Sequence, residues 1–170
     1  MRHAPREVPT DVAEMEDGDP AAELTPEGAL IATAMGEWLA EKGEIPSVIY
    51  ASDAVRTQMT AESVAKAIED AGFVAPKVKT DVGIGSHKSI RGLILKVGAN
   101  GEKKVMIVSH KETIMMGLKA LEVDNNDNKA EKPDPHAAGE IRIYDVKRKN
   151  GNWSEDKRVR PSDIGFDDIY

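Results

Sequence analysis

The chain has 170 residues, 40% of them apolar and 31% charged, which suits one globular domain (1–170) able to bury a core without cross-links. Its 30 acidic residues against 23 Lys and Arg leave a net charge of -7, arguing against a broad nucleic-acid surface. Cysteine is absent, excluding disulfides, thiolate zinc sites and a cysteine nucleophile, and no apolar run suits a membrane span or signal segment, so a soluble cytoplasmic protein is expected.

The chain opens Met1-Arg2-His3-Ala4. Termini fray unless something ties them down, so this is either an incidental charged end or the end of a short strand. Residues 8–23 are acidic, contain Pro and Gly, and hold no sustained period, which reads as a loop. Thr25-Pro26-Glu27 supplies an N-cap residue, Pro at the first helical position and an early acid. Leu30, Ile31, Ala34, Met35, Trp38 and Leu39 follow at helical spacing, and Gly43 is a natural stop, predicting a helix over 26–42.

Val48-Ile49-Tyr50-Ala51 is a short apolar run of the kind found in parallel strands covered on both faces. Ser52 is expected to cap a helix over 53–71 with the stripe Thr57, Thr60, Ala61, Val64, Ile68 and Ala71, ended by Gly72. A strand at 77–81 and a helix at 87–97 on Ile90, Leu93, Ile94 and Val97 come next. Val105-Met106-Ile107-Val108 repeats the buried-strand pattern, and a helix containing Ile114, Met115, Leu118 and Leu121 follows it. Residues 123–139 are a polar loop, 140–146 alternate like a strand, 149–152 read as a hairpin turn, and 158–170 read as a tail. Strands alternating with helices predict an α/β three-layer sandwich with a mostly parallel central sheet.

In open sheets of this kind, ligands sit beyond the carboxyl ends of the strands, here after Ala51 and Val108. Arg56 lies about one turn into the helix that follows the first, and helical side chains lean back toward the N-terminus. His110 lies at the second such edge, where a helix start favours anions. If Met1-Arg2-His3 ends a strand of the same sheet, two arginines and two histidines meet, and phosphate is the natural guest for paired guanidinium bonds. Ordinary readings stand beside these: Arg56 pairing with Asp53, His110 capping a helix. Residues 83–89 (GIGSHKS) carry His87 where a phosphate-binding loop needs Gly, so a nucleotide site is not expected. His87 reads as a surface residue and His136 as a loop residue. The four histidines lack ligand spacing, so no metal or other cofactor is expected.

The segments MRHA (1–4), LTPEG (24–28), IYASDAVRTQMTAE (49–62) and VMIVSH (105–110) occur in an order that resembles the histidine phosphatase superfamily. That superfamily includes the phosphoglycerate mutases and the small SixA-type phosphohistidine phosphatases, and the likeness runs from Met1 to about Leu121. The resemblance implies His3 as nucleophile, Arg2 and Arg56 as the phosphoryl clamp, and protonated His110 as the second histidine of the pocket. It points to Asp81 as proton donor, with a turn residue as the plain alternative, and Lys111 stands where it could add charge at the mouth. The chain departs from the family pattern at Ala4 and Lys111, where Gly is usual, at Asp53 for Pro, and at Met59 for Gln. Only Met1 and Arg2 precede His3, where the family has a longer buried strand.

The implied function is a metal-independent phosphatase that hydrolyses a phosphomonoester or phosphoramidate through a phosphohistidine. Its substrate would be a phosphorylated small molecule or a phosphoprotein, not a nucleic acid or a membrane. The compact length resembles the SixA-type members more than the mutases. The alternative is a weak or inactive member that binds phosphate or a phosphorylated partner; a phosphatase assay beside a phosphate titration separates the two.

Overall fold

The computed structural model describes residues 1, 2, 4, 5, 21–81, 84, 93, 104–110, 113, 114, 139, 141–146 and 153–167. Helix α1 (Pro26–Glu41), strand β1 (Val48–Ala51), helix α2 (Val55–Asp70), strand β2 (Lys77–Thr80) and strand β3 (Val105–Val108) follow in chain order. The hairpin strands β4 (Ile141–Val146) and β5 (Trp153–Val159) come next, then a 3-10 turn at Pro161–Ile164. Most of the expected helix at 87–97 and of the one around Ile114 lies outside the described residues, as do residues 8–20 of the acidic loop.

Strands β2, β1 and β3 form a parallel sheet in that order, with Val48 opposite Lys77 on one side and Val105 on the other. The start of the chain continues this sheet. Met1 N donates to Ile107 O at 2.6 Å, Ser109 N donates to Met1 O at 3.1 Å, and Arg2 pairs with Ser109 in parallel. Met1 is buried in the main core, so Met1 and Arg2 are tied to the sheet and do not fray.

Side chains alternate across a strand, and β1 is buried at every position, so both of its faces are covered. Ile49 and Ala51 face one way, into a core with Ile31, Met35 and Leu39 of α1 and Val64 and Ile68 of α2. Val48 and Tyr50 face the other way, against Ile84 and Leu93. These layers explain the unbroken apolar run that marked β1 in the sequence. Edge strand β2 is mostly exposed and carries Lys77 and Lys79, charges that discourage pairing with another chain.

The antiparallel hairpin pairs Ile141 with Val159, and both residues enter the main core. The expected tail at 158–170 is therefore structured through Asp167: β5 runs on to Val159, and Ile164 and Phe166 pack against the core. Arg160 N donates to Asp163 Oδ2 at 2.7 Å, Pro161 opens the turn, and Gly165 closes it at φ 92°. A single short turn has too few residues to show a period, which is why the sequence reads as a tail there.

The segment LTPEG does two jobs. Thr25 caps α1, its Oγ1 accepting from Gly28 N at 2.9 Å, a contact of the kind worth about 1 kcal/mol. Thr25 N also donates to Pro5 O at 3.1 Å, tying the mouth of the helix to the opening segment. That approach is so close that a Cβ on Gly28 would lie 2.2 Å from Pro5 O. Gly36 allows a similar approach between the two helices, where a Cβ would stand 2.7 Å from Val64 O and from Ala67 Cβ.

At the opposite end of the sheet, Glu44 receives Lys104 Nζ at 2.7 Å and Lys157 Nζ at 2.6 Å, joining the end of α1 to β3 and β5. These two hydrogen bonds hold the Glu44 carboxyl below the usual glutamate range. A lowered folded pKa stabilises the fold above the unfolded value, and that contribution is lost as pH falls through the folded one. Both lysines are about half exposed, so the pair is a modest one. Glu44→Gln is expected to cost about 0.5–1 kcal/mol in urea unfolding at pH 7, with the difference from wild type vanishing in acid. A Gly→Ala change inside a helix ordinarily stabilises by about 0.5–1 kcal/mol. Gly28→Ala should reverse that sign and cost about 1–3 kcal/mol, because Pro5 or the helix mouth must move; the same unfolding experiment reads it.

Candidate active site

The carboxyl ends of β1, β2 and β3 bring together the residues that the sequence scatters. Helix α2 starts at Val55, so Arg56 sits in its first turn, and only 3% of its surface is exposed. Its Nη2 lies 3.2 Å from Nδ1 of His110, which follows β3 by two residues. Arg2 arrives from the opening segment, paired with Ser109 immediately before His110. Asp81 follows β2 on the same edge, half-buried, with its N–H donating to Ala51 O at 2.9 Å. Arg56 and His110 thus touch, Arg2 is placed beside them by strand pairing, and Asp81 stands at the end of β2, two strands from β3. His3 and Lys111 lie outside the described residues, as do His87 and His136.

The residues that flank His3 are each tied to a different element. Arg2 pairs beside β3, whereas Ala4 N donates to Thr60 Oγ1 of α2 at 3.2 Å. Thr60 Oγ1 in turn donates to Arg56 O at 2.7 Å, so one hydroxyl links the turn bearing Arg56 to the residue after His3. Ser109 Oγ donates to Ile84 O at 3.1 Å, closing the floor between β3 and the segment after Asp81.

Ser52 does not cap α2 as the sequence suggests. The N-cap residue is Ala54, which makes no side-chain cap bond. Two more residues separate β1 from the helix, and the Ser52 hydroxyl is turned inward, 3.2 Å from His110 Nε2 and 2.8 Å from Thr57 Oγ1. Ser52, Thr57 and Thr60 are fully buried polar residues, although local spacing marks the first as a cap and the other two as members of the helix stripe. The available signal was the pair of threonines on the inward face of α2, where Ala or Val would pack as well without needing partners.

A guanidinium has donors and no acceptor, so the contact at Nδ1 requires His110 to accept there. In this contact the ring accepts at Nδ1, as a neutral imidazole does, whereas the family resemblance implies a protonated His110. Two departures from the family pattern also turn out to be neighbours. Ala4 is fully buried with Leu24 and Ala32, and Met59 packs against the same cluster.

Residues 1–80 match the family model of the histidine phosphatase superfamily (branch 1). No curated protein sequence matches the chain. Among solved structures, the protein histidine phosphatase SixA complexed with tungstate is similar at 17% identity, with 96% of each chain covered and a TM-score of 0.74. A protein provisionally described as the phosphohistidine phosphatase SixA from Agrobacterium tumefaciens shares 20% identity over 95% of each chain, with a TM-score of 0.70. A mycobacterial glucosyl-3-phosphoglycerate phosphatase bound to VO3 shares 16%, covering 92% of this chain and 95% of its own, at 0.65. At such identities the likeness is one of fold, and it extends over nearly the whole chain. The first 80 residues thus match the histidine phosphatase superfamily, and nearly the whole chain has a fold like that of the SixA structures.

Proposed function

We propose that the chain is a phosphatase that hydrolyses a phosphomonoester or phosphoramidate through a phosphohistidine formed on His3. The observation that supports this most is the buried Arg56 guanidinium 3.2 Å from His110, at the edge where Arg2 is also placed. Two arginines placed at one strand edge suit an oxyanion, since guanidinium matches phosphate oxygens in paired, charge-assisted bonds. Two proteins of similar fold are described as complexed with tungstate and with VO3, both oxyanions.

In this reading, the neutral imidazole of His3 attacks phosphorus in line. A nitrogen–phosphorus bond forms as the bond to the leaving oxygen or nitrogen breaks, and Asp81 delivers a proton to the departing atom. Water then attacks the phosphohistidine, returning the imidazole and releasing phosphate. Arg2 and Arg56 stabilise the charge on the non-bridging oxygens throughout, with Lys111 adding charge at the mouth and His110 holding the Arg56 side chain in place. The arginines supply the positive charge, so the reading calls for no metal. It favours a hydrolase over a mutase, because the likeness to SixA structures spans nearly the whole chain without a large added segment. The substrate class is a phosphorylated small molecule or a phosphoprotein.

Para-nitrophenyl phosphate provides the assay. His3→Ala should abolish turnover, and Arg56→Ala should lower kcat/KM by about 10²–10³-fold, as expected for a lost transition-state donor. Near-normal turnover by a folded His3→Ala protein would overturn the reading. Asp81→Asn should slow substrates with poor leaving groups by about 10²–10⁴-fold. It should matter far less for para-nitrophenyl phosphate, whose leaving group departs without a proton. Equal effects on the two substrate types would remove Asp81 from the donor role.

A further inference from the structure

We infer that Ser52 and Thr57 are positioning residues that decide which nitrogen of His110 carries the proton. Thr57 Oγ1 lies 2.7 Å from Ala54 O and 2.9 Å from Ser52 O. Both carbonyls only accept, so the single hydroxyl proton of Thr57 is committed to them. Toward Ser52 Oγ, 2.8 Å away, Thr57 can then only accept, and the proton of Ser52 goes there. Ser52 Oγ is thereby left as an acceptor 3.2 Å from His110 Nε2, which must carry hydrogen.

The other side of the ring gives the same answer independently. Arg56 Nη2 donates to Nδ1 at 3.2 Å, so Nδ1 is bare. Ser52 and Thr57 are each 0% exposed, so both hydroxyls are shielded from bulk solvent and find their partners within the protein. The ring is held between a hydroxyl that needs a hydrogen and a guanidinium that needs a lone pair. Reversing the tautomer would set two donors face to face at Arg56.

The consequence for catalysis rests on the phosphatase reading, but the tautomer belongs to the resting protein and can be measured without turnover. Nitrogen-15 spectra of labelled protein distinguish the two neutral tautomers, and His110→Asn identifies the His110 signals by their loss. Wild type should show the Nε2–H form. Thr57→Val keeps the shape and removes the acceptor, freeing the Ser52 proton to point at Nε2. The Nε2–H population should then fall to a mixture of the two tautomers, because Arg56 still favours a bare Nδ1, and turnover of para-nitrophenyl phosphate should fall about tenfold. Thr57→Ser restores the hydroxyl and should restore both the tautomer and the rate. A wild-type protein in the Nδ1–H form, or an unchanged tautomer in Thr57→Val, would overturn the inference. If Thr57→Val does not fold, the wild-type spectrum alone decides. Wild type in the Nε2–H form without any turnover would support this inference while defeating the phosphatase reading.

Discussion

Two backbone hydrogen bonds around Met1 carry the geometry of the site. Met1 N reaches Ile107 O and Met1 O receives Ser109 N, which sets the opening residues into the sheet beside β3. Such bonds are worth only about 1–3 kcal/mol net, the higher figure for a charged donor. Their effect comes from the residues they position immediately downstream. Arg2 falls level with Ser109, Ala4 docks on Thr60 of α2, and Pro5 O takes Thr25 N at the mouth of α1. Met1, Arg2, Ala4 and Pro5 therefore touch the sheet and both helices, and the arginine among them is held by ties on either side.

The elements themselves were legible from periodicity. The β1 run, the α1 stripe after Thr25-Pro26 and the α2 stripe all stand within a residue or two of their expected places, because burial on a helix or strand face writes itself into local spacing. The contact of Arg56 with His110 was legible only as far as topology carries it. Strand order brings the ends of β1 and β3 together, but the 3.2 Å contact depends on side chains 54 residues apart. Ser52 shows the limit most plainly. A serine just after a strand and just before a helix is a good cap by local rules, and it lost that job to tertiary demand. A hydroxyl at the end of β1 can either cap α2 or reach the imidazole on β3, and the extra turn residues Asp53 and Ala54 free it for the second. Local rules cannot see the imidazole.

Departures from a family pattern are often taken as loss of function, yet Ala4 and Met59 invite a packing explanation first. They come from the opening segment and from α2, 55 residues apart in sequence, and share one small apolar cluster with Leu24 and Ala32. An alanine methyl where glycine is usual needs an apolar neighbour, and a methionine where glutamine is usual supplies an adaptable one. A glutamine beside that methyl would have to bury an amide or turn it away. The two substitutions make sense together better than either does alone, and neither touches the backbone bond from Ala4 N to Thr60.

The choice of a neutral partner for Arg56 has an electrostatic meaning. A carboxylate at the same place would orient the guanidinium equally well, but it would cancel its charge and compete with any arriving anion. An imidazole held in its Nε2–H form orients without neutralising, because a bare Nδ1 accepts a hydrogen bond and carries no charge. The guanidinium stays cationic at a water-poor edge, where charge acts over longer distances than in solvent. Fixing the tautomer through Ser52 and Thr57 thus holds Arg56 without setting an opposing charge beside it. The buried hydroxyls of α2 belong to the electrostatics of the site as much as to the packing of the helix.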